Sequence, residues 1–287
     1  MNFAVLSPQT RPALLKAMRQ NVNFRFGAGY TDLLMELKKT EPNGLLVINL
    51  AQLTDKYFLT VRRTSNFLRI GSLVTAASIV RDPYIEKQFP VLHEAANNLA
   101  SAQIRQLATV GGNLCTASPS GDIACALVAL ESTCEILASD GSLRTVSISK
   151  FFTGPRKTVL HKNEILRSVT IPLNKKGARV RSGFIKVGTR RSMECSVVSL
   201  AYHIQDEKKG SILHAGAGIG AVAPVIMCVE EAANVLTGHN INAINEKEQE
   251  AFAQTVLQYA SPITDLRASA WYRREVLHNI SKSIFNQ

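Results

Sequence analysis

The sequence predicts an α+β protein built from two successive domains, residues 1–174 and 175–287. Three observations carry this. Strand-like and helix-like hydrophobic periods alternate from the N-terminus. Apolar residues make up 46 % of the 287 residues and charged residues 19 %, the proportions of a globular chain with enough length for two cores. The polar, glycine-containing stretch Asn174-Lys175-Lys176-Gly177-Ala178-Arg179 then separates a mixed first part from a second part in which strands precede helices.

In the first domain, Thr10 is placed to cap a helix with Pro12 in its first turn and Leu14, Leu15 and Met18 on its apolar face. A strand over 23–26 runs into Gly27-Ala28-Gly29-Tyr30, and Thr31 or Asp32 caps a second helix that reaches about Lys39. Strands are expected over 45–50 and 67–72, and a helix over 90–99. A hairpin of 133–137 with 143–148 turns at Asp140-Gly141, and a strand over 164–171 stops at Pro172. Beyond the linker, strands over 181–187, 197–204 and 211–218 are followed by helices over 224–236, 247–259 and 265–279.

Composition removes several kinds of chemistry. The five cysteines, Cys115, Cys125, Cys134, Cys195 and Cys228, are odd in number and include no Cys-x-x-Cys pair, which argues against a disulfide framework and a cysteine-held cluster. The six histidines lack paired-ligand spacing, so no metal is expected. The net charge of +11 raises nucleic-acid binding, but the basic residues fall in scattered pairs (Lys38-Lys39, Arg62-Arg63, Lys175-Lys176, Arg190-Arg191) and aromatic residues are only 6 %. Solvated faces together with an anionic cofactor or acidic partner surface account for the charge better. The longest apolar run, 123–130, is far short of the roughly 20 residues of a membrane span, and Arg11, Lys16 and Arg19 interrupt the N-terminal stretch. A cytoplasmic protein is expected.

Two segments carry ligand-binding chemistry. In the first, a strand enters Phe26-Gly27-Ala28-Gly29-Tyr30-Thr31-Asp32 and a helix leaves it. Glycines there admit close approach of a phosphate, and successive amides at a helix start bind anions. It is neither a dinucleotide fingerprint, because Asp32 stands where the third glycine belongs, nor a P-loop, because no Lys-Ser or Lys-Thr follows. The second segment, Thr109-Val110-Gly111-Gly112-Asn113, is followed by Asp122, a candidate acceptor for sugar or ribityl hydroxyls. Each alone reads equally as a tight turn; two such loops in one domain suit one extended phosphate-bearing ligand. A third glycine run, Ala215-Gly216-Ala217-Gly218-Ile219-Gly220, has the wrong spacing for a nucleotide motif and reads as a glycine-rich strand.

In order and spacing, these two loops resemble the FAD-binding medium subunits of molybdenum hydroxylases, the xanthine dehydrogenase and carbon monoxide dehydrogenase family. The resemblance continues through Lys186-Val187-Gly188-Thr189-Arg190, through Gly220-Ala221-Val222-Ala223-Pro224, and through Ser261 to Ala270 with Tyr272-Arg273-Arg274, and so spans nearly the whole chain. It implies a flavin domain of the vanillyl-alcohol-oxidase (PCMH) type in two subdomains, followed by a smaller α+β C-terminal domain of the carbon monoxide dehydrogenase flavoprotein type. It also implies FAD held non-covalently, with the pyrophosphate on Phe26 through Asp32 and on Thr109 through Asn113. Asp122 then faces the ribityl or ribose region, and Leu99, Leu166 and Lys186 line the flavin. Tyr30 is a departure, standing where many relatives have Gly or Asn.

The function implied is electron relay, with no catalytic residue of substrate oxidation on this chain. Substrate is oxidised on a molybdenum-cofactor large subunit, electrons cross [2Fe–2S] clusters on a small subunit, and they leave through FAD here to NAD or another acceptor. Two alternatives stand beside it. One is a flavin-dependent reductase of the UDP-sugar reductase type; the other is an assembly subunit that has lost its flavin.

Overall fold

The computed structural model describes residues 2–40, 43–190 and 194–286; Arg191, the second member of the last basic pair, lies outside the described residues. The chain is organised around three main sheets.

The N-terminal sheet is parallel. Strands β1 (Asn2–Leu6), β2 (Phe24–Gly27) and β3 (Asn43–Asn49) lie in the order β1-β3-β2, linked by α1 (Arg11–Gln20) and α2 (Leu33–Thr40). Thr10 caps α1 as expected, its hydroxyl accepting from the Ala13 amide at 3.4 Å. Leu14, Ala17 and Met18 form the buried face of α1, packed with Ile48 and Leu50 and with Leu137 and Ile165 of the next sheet. The expected cap of α2 is not made. The Asp32 carboxylate turns away from the helix and accepts from the Thr116 hydroxyl instead, at 3.2 Å.

The second layer contains α3 (Lys56–Leu59), β4 (Val61–Arg63) and β5 (Phe67–Gly71). Six short helices follow: α4 (Ala76–Val80), α5 (Pro83–Gln88), α6 (Pro90–Asn97), α7 (Ala102–Leu107), α8 (Val110–Thr116) and α9 (Asp122–Ala129). Next come β6 (Thr133–Ala138), β7 (Leu143–Ser147), the small ribbon β8 (Phe152–Gly154) with β9 (Lys157–Thr158), and β10 (Glu164–Pro172). Strands β4-β5-β10-β6-β7 form an antiparallel sheet. The β6–β7 hairpin turns where Asp140-Gly141 predicts: Gly141 has φ +94°, and the Asp140 carboxylate accepts from the Ser142 amide at 2.8 Å. One expectation fails here. Residues 110–113 are the start of a helix, not a turn, because Thr109 caps α8 through its hydroxyl.

The third sheet is antiparallel, β11 (Arg179–Val187), β12 (Val198–Asp206), β13 (Ile212–Gly220) and β14 (Met227–Cys228), covered by α10 (Ala232–Leu236), α11 (Glu246–Gln258) and α12 (Ala270–Ser283). The expected helix over 224–236 shrinks to α10, since Met227 and Cys228 extend the sheet edge beside Ile219 and Gly218. The last helix begins at Ala270, not at 265. The Asp265 carboxylate captures the amides of Arg267 and Ala268 at 2.9 and 3.3 Å, holding them in a local turn.

Helix α9 is the seam between the two halves. Its run 122–129 is buried throughout, which explains the apolar stretch in the sequence. One side faces α6 and α8; the other lies on β12 and β13. The glycines of β13 make this possible. A Cβ on Gly216 would sit 2.1 Å from the Ala129 carbonyl oxygen, and one on Gly218 2.7 Å from that of Cys125. The run read as a glycine-rich strand is therefore a strand stripped of side chains so that a helix can lie on it. The linker is fastened too: Asn174 donates to the Gln88 carbonyl at 2.8 Å, and the Lys175 amide donates to the Gln205 side chain at 2.7 Å.

Candidate cofactor site

The first glycine-rich loop packs against residues on either side of the second, Gly29 against Leu107 and Asp32 against Thr116. Phe26 and Gly27 end β2, with Phe26 edge-on to Phe24 at 5.1 Å between ring centres. Past them, Gly29 comes so close to the end of α7 that a Cβ would lie 1.9 Å from the Leu107 carbonyl oxygen. Glycine is required there by approach of another backbone. Tyr30 adopts the left-handed conformation (φ +59°), and its ring folds back over Gly27, where a Cβ would be 2.3 Å from Cζ. The ring packs with Phe3 and Leu33 against Leu37, Leu45 and Val47, and burial raises its hydroxyl above the usual tyrosine value. Tyr30 thus closes the loop from behind.

The chain direction leaves this first loop open to an anion. The amides of Gly29, Tyr30, Thr31 and Asp32 have no hydrogen-bond acceptor among the described residues, and α2 starts at the next residue. Successive unused amides at a helix start fit a group rich in acceptor oxygens, such as a pyrophosphate.

The second loop is built differently. Val110 donates to the Val74 carbonyl at 2.9 Å, Gly111 to Ser72 at 2.7 Å, Gly112 to the Thr109 hydroxyl at 3.0 Å and Asn113 to the Thr109 carbonyl at 3.0 Å. The amides of residues 110–113 are thus engaged within the protein, unlike those of the first loop. What the second loop presents outward is Gly112, exposed and bare of side chain, with Asn113 half-buried beside it. Gly111 is buried because Ser72 stands directly behind it, at 2.7 Å from where a Cβ would be. Val110 points into the core.

Asn113 leads to the third group. Its side-chain oxygen accepts from the Ala124 amide at 2.9 Å, tying α8 to the first turn of α9, which begins at Asp122. Asp122 is buried, and Lys186 of β11 reaches it from the other half of the chain at 2.6 Å. Lys186 also donates to the Asn98 carbonyl at 3.2 Å, and the buried Ser196 hydroxyl donates to the other Asp122 oxygen at 3.1 Å. Burial pushes the Asp122 carboxyl above its ordinary value, while Lys186 and then Ser196 pull it back. Leu99, half-buried, adjoins Asn98, and Arg105 fixes its carbonyl at 3.1 Å.

Most of the expected residues are therefore joined in one chain of contacts. It runs from Gly29 through Thr109 and Asn113 to Asp122 and Lys186. Leu166 is set apart: it lies in the domain core on β10, opposite Ile136. Three participants were not read from the sequence. Arg156, in the β8–β9 turn, places a guanidinium 3.4 Å from Asp32. Ser196 and Asn98 complete the surroundings of Asp122 and Lys186. A positively charged residue in a turn more than a hundred positions away gives no local signal; only the fold brings Arg156 to Asp32.

Known proteins resemble this chain along nearly its whole length. Residues 1–174 match the family described as the FAD binding domain in molybdopterin dehydrogenase, and residues 184–287 match the CO dehydrogenase flavoprotein C-terminal domain. The chain is 30 % identical over 274 residues to the xanthine dehydrogenase FAD-binding subunit of Escherichia coli O157:H7, covering 95 % of this chain and 91 % of that one. It is 27 % identical over 290 residues to the glyceraldehyde dehydrogenase medium chain of Sulfolobus acidocaldarius, covering 99 % and 98 %. In fold it is similar to a chain of carbon monoxide dehydrogenase from Hydrogenophaga pseudoflava (TM-score 0.90, 22 % identity, 100 % and 96 % covered). It is likewise similar in fold to a chain of quinoline 2-oxidoreductase from Pseudomonas putida 86 (TM-score 0.88, 22 % identity, 100 % and 96 % covered). Two domain matches that together span nearly the whole sequence, and relatives covered end to end, make this chain a member of the family of FAD-binding medium subunits of molybdenum hydroxylases.

Proposed function

We propose that this chain holds one FAD non-covalently along the surface from Gly29 to Lys186 and relays electrons within a heteromeric molybdenum hydroxylase. The observation that carries this is the packing of the first loop beside the second, with unused amides at Gly29 to Asp32 at one end and the Lys186–Asp122 pair at the other. An extended ligand whose anionic group lies away from its flavin end matches that layout. FAD supplies the redox chemistry when bound, exchanging electrons singly or in pairs. The amides of the first loop receive the pyrophosphate, Arg156 adds positive charge beside them, and Gly112 lets the cofactor approach the second loop without a side chain between. Leu99 supplies an apolar wall. Lys186 holds a positive charge near the flavin end, and Asp122 keeps that charge oriented.

On this reading residues 1–174 form the FAD domain and 175–287 the C-terminal domain, with Lys186 contributed across their seam. The partners are a molybdenum-cofactor large subunit and a [2Fe–2S] small subunit, and NAD is one candidate acceptor. Denaturation with acid should release all the yellow colour as FAD, identified by chromatography; FMN as the sole species, or colour retained on the chain, would contradict the cofactor reading. Reconstitution with candidate partner subunits should give substrate-dependent flavin reduction. Substrate oxidation by the isolated chain would contradict the relay.

A further inference from the structure

The segment from Ser261 to Arg274 takes no part in the surface just described, yet it contains a buried guanidinium. Arg273, on α12, is 2 % exposed. Its Nη1 donates to the Val197 carbonyl at 2.7 Å and to the Ala221 carbonyl at 2.8 Å, and its Nη2 donates to Asp265 at 2.8 Å. Asp265 is in turn held by the amides of Arg267 and Ala268. A charge this deep is retained only where its partners are fixed, and three acceptors in a fork suit a planar guanidinium.

Both carbonyls that Arg273 grips belong to residues bonded to near neighbours in sequence of Asp122 and Lys186. Val197 follows Ser196, whose hydroxyl holds Asp122, and the Val197 amide donates to the Val187 carbonyl at 2.9 Å, next to Lys186. Ala221 is strained, with φ +62°, and its amide donates at 2.7 Å to the Pro119 carbonyl in the loop that leads into Asp122. The guanidinium therefore binds together the start of β12 and the end of β13, two of the places from which the second half of the chain holds the segment 118–122; Lys186 of β11 is a third.

We propose that Arg273, oriented by Asp265, is a positioning residue for the cofactor site: it fixes Val197 and Ala221 so that Ser196 and Pro119 hold Asp122, and through it Lys186, in the geometry that receives FAD. This rests on the assignment of Asp122 and Lys186 to the flavin surface. Losing hydrogen bonds from a buried charge should loosen the held segments even without ligand.

The test compares Arg273→Gln, Arg273→Lys and Asp265→Asn with Val256→Ala, a cavity in the core of α11 that serves as a stability control. Two quantities are read: amide hydrogen exchange of the ligand-free chain, and FAD affinity by equilibrium dialysis. Arg273→Gln is expected to raise exchange over 118–122 and 195–199 and to weaken FAD binding roughly tenfold or more. Arg273→Lys should fail to restore it, because an ammonium cannot span three acceptors. Asp265→Asn should act in the same direction and more weakly, since both main-chain contacts survive. Val256→Ala should lower the melting temperature while leaving both readouts near those of the unaltered chain. Exchange and affinity unchanged in Arg273→Gln and Asp265→Asn, while Lys186→Gln weakens FAD binding, would overturn the positioning role and leave the cofactor assignment standing. FAD affinity unaffected by Lys186→Gln as well would overturn both.

Discussion

Lys186 and Asp122 meet at 2.6 Å across the seam between the two halves of the chain, the lysine on a strand of the third sheet and the aspartate on the first turn of α9. Each is largely withdrawn from water, so neither charge is cheap to leave alone. Lys186→Gln is expected to destabilise the protein by about 3 kcal/mol, the order found when one member of a buried pair is removed. Burial already raises the Asp122 carboxyl, and Lys186 is the main influence opposing that rise, so the variant raises it further. A carboxyl raised in the folded state favours folding at low pH, and that contribution disappears as pH climbs through its folded value. The deficit of Lys186→Gln should therefore be greatest near neutrality and shrink on acidification. Urea unfolding of both proteins from pH 4 to 8 measures this; a deficit independent of pH would contradict it.

His203 lies on the same seam, with Nδ1 3.1 Å from the Ser182 hydroxyl and Nε2 2.8 Å from the Asn174 side-chain oxygen. Burial pushes its pKa down to about 4. The unfolded chain binds a proton there near pH 6.5 while the folded chain refuses it, so stability present above pH 6.5 is lost as pH falls toward 4. The slope from this one group approaches about 1.4 kcal/mol per pH unit. His203→Asn should have a flatter stability profile across that window, read by chemical denaturation at half-unit steps.

Gly29 and Gly112 separate approach from exposure. Gly29→Ala would drive a methyl group into the Leu107 carbonyl and push the two loops apart. Gly112 has no positive φ, and a Cβ there meets only the Thr109 hydroxyl at 2.9 Å. Gly29→Ala should thus lower both FAD occupancy and thermal stability. Gly112→Val should leave a folded chain that purifies with little flavin, because its branched side chain stands on the outward face and crowds the Thr109 cap. The ratio of 450 nm absorbance to protein, together with the melting temperature, checks both; a fully loaded Gly112→Val would make that position structural only.

Arg156 and Asp32 form an exposed pair, worth less than about 1 kcal/mol to the fold. Arg156→Ala should leave the melting temperature almost unchanged while weakening FAD binding several-fold, and the dependence of that binding on salt should diminish. Titration of the ligand-free protein with FAD at low and high ionic strength provides the measurement. Equal affinities for the two proteins at low salt would remove Arg156 from the site.

Where a structural feature was local, the sequence disclosed it. The cap at Thr10, the turn at Asp140-Gly141, the strand character of 215–220 and the glycines of both loops rest on neighbours within a few positions. Helices α4 to α9 were largely hidden, since each has eight residues or fewer, too short for a helical period to stand out. Asp32 looked like a helix cap because its position suits one; its actual partners, Thr116 and Arg156, are supplied by the fold. Asp122 was legible as a polar residue after a glycine, whereas its bonds to Lys186 and Ser196 depend on residues more than sixty positions away. Leu166 has its side chain in the core, a placement that only the fold discloses.

The bare face of β13 also bears on how such a chain can be inherited. Helix α9 rests on Gly216 and Gly218 with no space for even a methyl group, so the helix of one half and the strand of the other are cut to each other's shape. A recombinant joining this first half to a second half with larger residues at those two positions would hold helix and sheet apart, and with them Asp122 from Lys186. Exchange of genetic material can therefore pass on the two halves of this chain only as a matched pair.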